Sequence, residues 1–359
     1  MAIKSPSANI AEIHKNEYFY TKKMLETPTV EAEKPIDVII PWVDGDDPEH
    51  QKKREGYLGK VPTKNIPGAH HTRFGSINEI KYAVLSILTF APFIRKIFIL
   101  TDGQDPRLDK DIQTYFPERL KDVKIIDHKE IFRGYEEFLP TFNSRSIENL
   151  LWRVEGLAEN FVYFNDDLFL IKKCRPEDWF IKNRPVLRGN WLPVPVLRRV
   201  WNKLQLAVNS GLLHHPNFQL RPSFHTGQWH AAKVLGFRWK YFYFGHTPHP
   251  INSRRLQKFY LENPDLLKKN LTPKFRDHHQ FNVISLAYHL ELLQGNKNLA
   301  PKNLAYLQPR NRPENYLEKK IKQCEADPDI KFMCVQSLES CSREDQNRVL
   351  GWMDKILNL

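Results

Sequence analysis

Three apolar runs in the first half of the chain each end in acidic residues. Ile36-Asp37-Val38-Ile39-Ile40-Pro41-Trp42-Val43 leads into Asp44-Gly45-Asp46-Asp47, Lys96-Ile97-Phe98-Ile99-Leu100-Thr101 into Asp102-Gly103, and Phe161-Val162-Tyr163-Phe164-Asn165 into Asp166-Asp167. Runs this short and this apolar predict buried strands. Between the first two, Ile77, Ile80, Val84, Leu85 and Leu88 fall at helical spacing behind a Ser76/Glu79 capping box, which predicts a helix over 77–90. A weaker helix is expected over 108–116 and a strand over 123–126. Ile147, Leu150, Leu151, Val154 and Leu157 predict one more amphipathic helix before the third acidic strand. Strands and helices that alternate in this way give an α/β fold with a mostly parallel sheet.

The pattern divides the chain into four parts. Residues 1–34 read as a polar lead-in with a short helix over 10–25, and 35–178 as the α/β core. Within that core, 44–71 reads as a long charged loop, too long for a purely structural role. Residues 179–262 lose periodicity and become rich in proline and aromatics. Residues 263–359 are helical, with helices over 281–293 and 343–357. The stripe Val349, Leu350, Met353, Ile356, Leu357 on the last helix reads as packing rather than as a membrane anchor.

Charge changes this picture in one place. The chain of 359 residues carries a formal charge of +12, and it has no acidic residue between Asp178 and Glu262. Trp179, Trp191, Trp201, Trp229 and Trp239 fall in the same gap. A basic, aromatic surface suits nucleic acid, anionic glycans or an anionic membrane; the plain alternative is buried tryptophans and solvated bases. Cys174, Cys324, Cys334 and Cys341 form no CxxC pair and no zinc spacing, so reduced thiols are expected. No apolar stretch approaches the roughly 20 residues of a membrane span and no secretory h-region opens the chain, so a cytoplasmic protein is the default expectation.

In an open α/β sheet the carboxyl ends of parallel strands line one crevice, which would bring the three acidic clusters together. Clustered oxygen ligands suit a hard cation, Mg²⁺ or Mn²⁺, and the cation suits a diphosphate. The sequence therefore reads first as an enzyme acting on a nucleotide-linked substrate. Asp166 and Asp167 are the expected metal ligands. Asp44-Gly45 and Asp102-Gly103 also have the composition of plain turns.

The block Asp37 to Pro48 resembles the first conserved region of the Stealth family of sugar-phosphate transferases, which includes bacterial capsule polymerases and the animal N-acetylglucosamine-1-phosphate transferase. Arg73-Phe74 through Glu79-Ile80-Lys81-Tyr82, Ala91 through Gln104, Leu139 through Ser144, Ile147-Glu148 and Tyr163 through Asp167 resemble the second region. Gly245-His246-Thr247-Pro248-His249-Pro250 resembles the third, and Arg276 through Phe281-Asn282 the fourth. The chain departs from the family pattern at Gly75-Ser76-Ile77, at Asp46, and at Gln280, where an acidic residue is common.

The resemblance implies a Rossmann-like, glycosyltransferase-type core, a divalent cation, and transfer of hexose-1-phosphate from a nucleotide sugar to a glycan hydroxyl in capsular or surface polysaccharide. It implies catalytic roles for Asp44, Asp167, His246 and Arg276, with His246 as the base. Substrate contacts are implied for Asp47, Arg73, Asp102, Asn143, Ser144, Glu148 and His249, and helix capping is the plain alternative for Asn143, Ser144 and Glu148. The expected partners are a nucleotide-sugar donor and an anionic glycan acceptor, with the basic segment holding the glycan and no nucleic acid expected. The resemblance also allows peripheral association with the inner membrane or capsule-assembly machinery. Two other readings stay open at this stage: a metal-dependent glycosyltransferase that releases a nucleoside diphosphate, and a binding module without turnover.

Overall fold

A computed structural model describes residues 33–58, 77–212, 220–310 and 312–359. The expected helix over 10–25, Arg73 and Ser76 lie outside the described residues. Lys34–Leu359 forms one compact unit.

The first strands are β1 (Ile36–Pro41), β2 (Ile97–Thr101), β3 (Val123–Asp127) and β4 (Asn160–Tyr163). Later come β5 (Leu168–Leu170), β6 (His249–Asn252), β7 (Leu304–Leu307) and β8 (Phe332–Val335). The central sheet has the order β6-β4-β1-β2-β3. β4, β1, β2 and β3 are parallel and β6 is an antiparallel edge. The parallel part thus has the doubly wound order 3-2-1-4, whose direction of winding reverses between β1 and β4; the crevice outside those two carboxyl ends is where such folds bind ligands. β1 is apolar on both faces because both are covered. One core packs Val38 and Ile40 against α2 (Glu79–Phe90) and α7 (Arg343–Leu357), and the other packs Ile39 and Tyr163 against α6 (Val283–Leu293). Val349, Met353 and Leu357 are buried there, so the last helix packs.

Asp37, within β1, is buried at the opposite end of the sheet from the crevice. It accepts from Arg95 Nε at 2.9 Å and from the Ala158 N–H at 2.7 Å, so it serves the fold.

Four expectations are corrected. The charged stretch after β1 is not all loop: Pro48–Leu58 is a helix, α1. Asp47 accepts from the His50 N–H at 2.8 Å in front of Pro48, and His50, Arg54 and Leu58 are buried at i, i+4, i+8 spacing. α2 begins at Glu79, with Asn78 as N-cap at φ 68°, and Glu79 faces inward instead of closing a capping box. The helix expected from Ile147 to Leu157 is only α3 (Ser144–Glu148) and a separate turn, Leu151–Arg153. Asn149 ends it, its amide turned back to the Arg145 carbonyl and its oxygen taken by the Tyr260 hydroxyl, while Leu150, Leu151 and Val154 stay buried. Finally, the stretch after Asp178 is well structured. It includes α4 (Val196–Leu206), α5 (Phe224–Val234), an antiparallel ladder of Asn190–Pro193 with Lys240–Tyr243, and β6 in the central sheet.

The tryptophans of that stretch divide. Trp179 and Trp229 are core residues, whereas Trp201 and Trp239 are exposed. All four cysteines are free thiols.

Candidate active site

Parallel pairing puts Ile39 opposite Tyr163, Pro41 opposite Leu100 and Thr101 opposite Asp127, so the strands end level. Above the ends of β1 and β4 opens a cleft of about 610 Å³. Its walls carry Asn143, Ser144, Glu148, Asp166, Asp167, His246, His249 and Arg276 from the residues expected on sequence. Asp44, Asp47 and Asp102 are not among the lining residues. Asp44 makes an Asx turn, its carboxylate accepting from the Asp46 N–H at 2.9 Å, and its N–H donates to Gln104 Oε1 at 2.9 Å. Asp47 caps α1, and Asp102 pairs with Lys53 at 3.2 Å.

Asp166 and Asp167 follow β4 after Phe164 and Asn165. Burial holds both carboxyls above the usual range, and for Asp167 the charge of Asp166 adds to it. Glu79, the first residue of α2, lines the same cleft. Burial raises its carboxyl, and the charges of Asp166, Asp167 and Glu339 raise it further, to about 9. Among the described residues, no basic side chain forms an ion pair with any of these four acids. Unneutralised carboxylates at one wall are costly, and a bound hard cation would relieve that cost. A second group, Asp277, His278 and His279, places three ligand atoms within 4.8 Å of one another and could hold a metal ion. Its donor set is softer than the all-oxygen wall, so the two suit different metals.

In the same cleft, the His246 ring stacks on Phe224 at 5.3 Å and on Tyr306 at 5.2 Å between centroids. Burial, then the nearby Arg276 charge, lowers its pKa, so the imidazole is neutral and able to accept a proton. His249 sits deeper, on β6. Its Nδ1 lies 3.1 Å from the Tyr288 hydroxyl, and burial pushes its pKa down to about 3.

Arg276 Nη2 donates to Ser144 Oγ at 2.5 Å. Behind Ser144, Glu148 is buried and accepts from the Tyr163 hydroxyl at 3.2 Å; burial raises its carboxyl, against the opposing charges of Arg276 and Arg145. Asn143 is the N-cap of α3 and its amide donates to the Pro273 and Phe275 carbonyls and to Gln280 Oε1. Gln280 Nε2 in turn donates to the Asn270 carbonyl at 2.7 Å. That position needs a donor and an acceptor on one side chain, which a carboxylate does not offer, and this accounts for glutamine where an acid is common.

Sequence reasoning missed Glu79 as a lining acid, having assigned it to a cap, and missed the corner formed by Trp42, His50, His128 and Thr141. Both His128 ring nitrogens and Thr141 Oγ1 are buried there with no hydrogen-bond partner among the described residues. Burial lowers the His128 pKa to about 4, so it is a neutral imidazole. The usable signal was that His128 directly follows Asp127 at the end of β3.

Comparison with known proteins agrees with the first two motif regions. Residues 34–62 match the model for Stealth conserved region 1 and residues 73–186 the model for Stealth conserved region 2. The chain is 36% identical over 259 residues to the capsular polysaccharide phosphotransferase cps1A of Actinobacillus pleuropneumoniae, covering 65% of this chain and 66% of the relative. It is 41% identical over 149 residues to the exopolysaccharide phosphotransferase SCO6021 of Streptomyces coelicolor, covering 42% of this chain and 26% of the relative. It is 37% identical over 148 residues to the capsular polysaccharide phosphotransferase LcbA of Neisseria meningitidis, covering 41% and 38%. The matched stretches thus span from about a quarter to about two thirds of these relatives' lengths. Among solved structures, the galactosyltransferase LgtC aligns with a TM-score of 0.42 at 10% identity, over 90% of this chain and 95% of LgtC, a likeness too loose to place any residue. On its two matched regions and its phosphotransferase relatives, the chain belongs to the Stealth family.

Proposed function

We propose that the protein transfers a sugar-1-phosphate from a nucleotide sugar to a hydroxyl of a capsular or other surface glycan, with release of the nucleoside monophosphate. The observation that carries this reading is that one cleft is lined by a neutral histidine, an arginine and a group of carboxylates. Its support is that three relatives bear the name phosphotransferase.

The acceptor hydroxyl attacks the phosphorus attached to the sugar, and its proton passes to His246. The bond from that phosphorus to the bridging oxygen of the diphosphate breaks, and the electron pair leaves with the nucleoside monophosphate. Arg276, held by Ser144, offers its fork of donors to the phosphoryl oxygens. Asp166, Asp167 and Glu79 are the residues that would hold Mg²⁺ or Mn²⁺, which supplies charge neutralisation for the diphosphate. The donor's nucleoside extends towards His128 and Thr141, whose buried polar side-chain atoms have no hydrogen-bond partner among the described residues. The acid-free segment holds the anionic acceptor.

Incubation with a panel of nucleotide sugars, Mg²⁺ and an anionic oligosaccharide tests this. Release of monophosphate with a phosphodiester in the product is expected. Release of diphosphate would make the protein an ordinary glycosyltransferase, and no release with any donor would make it a binding module.

A further inference from the structure

α4 is an 11-residue helix whose apolar side chains do not pack inward. Leu197 is 87% exposed, Val200 59%, Trp201 58% and Leu204 51%, and i, i+3, i+4, i+7 spacing puts them on one stripe. Trp239, 83% exposed, stands beside the start of this helix, because its carbonyl accepts from the Val194 N–H at 3.1 Å. Leaving two tryptophans and an aliphatic stripe in water is unfavourable, so the patch points to a partner. The stripe is flanked by Arg198, Lys203, Arg238 and Lys240, all exposed, in a segment that contains no acidic residue at all.

We propose that α4 and Trp239 form a docking surface for a membrane that carries anionic lipid headgroups. The chemistry singles out this occupant. An interfacial helix combines an apolar stripe that enters the acyl boundary with basic residues that meet the headgroups, and tryptophan favours the depth at which its ring is buried and its N–H remains wet. A soluble anionic glycan would use the charges and a tryptophan face but gains nothing from Leu197, Val200 and Leu204. A second copy meeting this patch with the same patch would set its basic residues against one another with no acid to offset them.

The surface also has a fixed relation to the cleft. Arg198 Nη1 donates to Ser223 Oγ, and Ser223 lies between Pro222 and Phe224, which both line the cleft. Docking through α4 therefore holds the cleft close to the lipid surface, where a membrane-anchored acceptor would be presented. The proposal itself does not depend on the reaction.

The test is co-sedimentation of the full chain with vesicles of pure phosphatidylcholine, and with vesicles in which about a quarter of the lipid is phosphatidylglycerol. Binding to the anionic vesicles is expected to be at least about 10-fold tighter, with a blue shift of tryptophan emission. The double variant Leu197→Asp with Trp201→Asp is expected to lose at least about 10-fold in vesicle affinity. Leu197→Ser with Trp201→Ser, which adds no charge, is expected to lose binding in the same direction, and an unchanged thermal midpoint in both shows that the fold is kept. Four results would overturn the proposal: no vesicle binding by the wild type, binding equal for both vesicle types, variants that bind like the wild type, or a concentration-dependent dimer that the variants dissolve in the absence of lipid. Loss of binding to a soluble anionic polysaccharide as large as the loss to vesicles would reassign the patch to the glycan.

Discussion

Arg276 Nη2 lies 2.5 Å from Ser144 Oγ, joining two stretches 132 residues apart in sequence. Ser144 opens α3 directly after the capping Asn143, whose amide also ties down the loop that carries Arg276. The arginine is thus aimed by a hydroxyl and a loop latch, and its fork is directed at the cleft. Arg276→Lys keeps the charge and loses the planar fork. A loss of about 10²-fold or more in kcat/KM is expected if it contacts phosphoryl oxygens in the transition state. Ser144→Ala is expected to lose less, in donor KM more than in kcat, since only the aim of the arginine is relaxed. Steady-state kinetics with donor varied checks both, and a mild Arg276→Lys effect would leave only a general field effect for this residue.

His246 is the expected proton acceptor. His246→Ala should lower kcat by about 10²- to 10⁴-fold with donor affinity nearly unchanged. Because burial and Arg276 lower its pKa, the acidic limb of the wild-type pH–rate profile should fall below the ordinary imidazole range, with activity kept as pH decreases towards it. If His246→Ala retains the wild-type limb and rate, another group removes the proton, and His249 is the nearest alternative.

The carboxylate wall makes stability depend on pH. Glu79 is held protonated up to about 9 in the folded protein, whereas in the unfolded chain it ionises in the ordinary carboxyl range. A raised acid of this kind contributes stability that is complete below the unfolded pKa and is lost as pH rises through the folded one. The thermal midpoint of metal-free protein should therefore fall between pH 5 and 9, and Glu79→Gln should flatten that fall. Mg²⁺ should stabilise the protein more at the alkaline end, and chelation should stop turnover. Asp167→Asn is expected to abolish turnover with the fold intact. A midpoint with the same pH dependence in Glu79→Gln would remove Glu79 from the wall.

How far the sequence could be read follows from which interactions shape each part. β1, β2 and β4 were legible because strands covered on both faces are largely apolar, though of their acidic ends only that of β4, Asp166 and Asp167, lines the cleft. α1 was not, since its buried face is His50, Arg54 and Leu58 and its other positions are mostly charged and polar. β6 was hidden because His249-Pro250-Ile251-Asn252 has neither alternation nor β-rich composition, and proline is tolerated there only because the strand is an edge. Asp166 and Asp167 were singled out by their place at a strand end and His246 and Arg276 by motif resemblance, and all four line one cleft. Glu79 and His128 were missed because their significance lies in what surrounds them: three other acids for one, and the lack of a hydrogen-bond partner among the described residues for the other.

The His128 corner makes a separate prediction. His128→Phe and Thr141→Val should weaken binding of a nucleoside monophosphate by about 10-fold or more, the scale of one or two lost hydrogen bonds, and leave inorganic pyrophosphate binding unchanged. Calorimetric titration of both probes decides it: equal losses for pyrophosphate would mean the corner supports the fold or the phosphates instead.

The acceptor prediction has to avoid the arginines that sequence alone would choose. Arg254 and Arg255 look free within the acid-free segment, but Arg255 is joined to Glu291 and Arg254 lies 3.2 Å from Glu159. Removing the first would strand a buried carboxylate, so a defect there would report on folding. Lys233, in the last turn of the helix that starts at the cleft with Phe224, and Arg238, just after that helix, are both exposed. Neutralising this pair should raise the acceptor KM for long anionic glycans several-fold and leave short acceptors nearly unaffected, because only a long chain reaches beyond the cleft. Added salt should weaken wild-type use of long acceptors and have little effect on the neutralised variant. Equal effects on every acceptor length would place this charge at the donor instead, and no effect at all would leave the basic surface to the lipid headgroups.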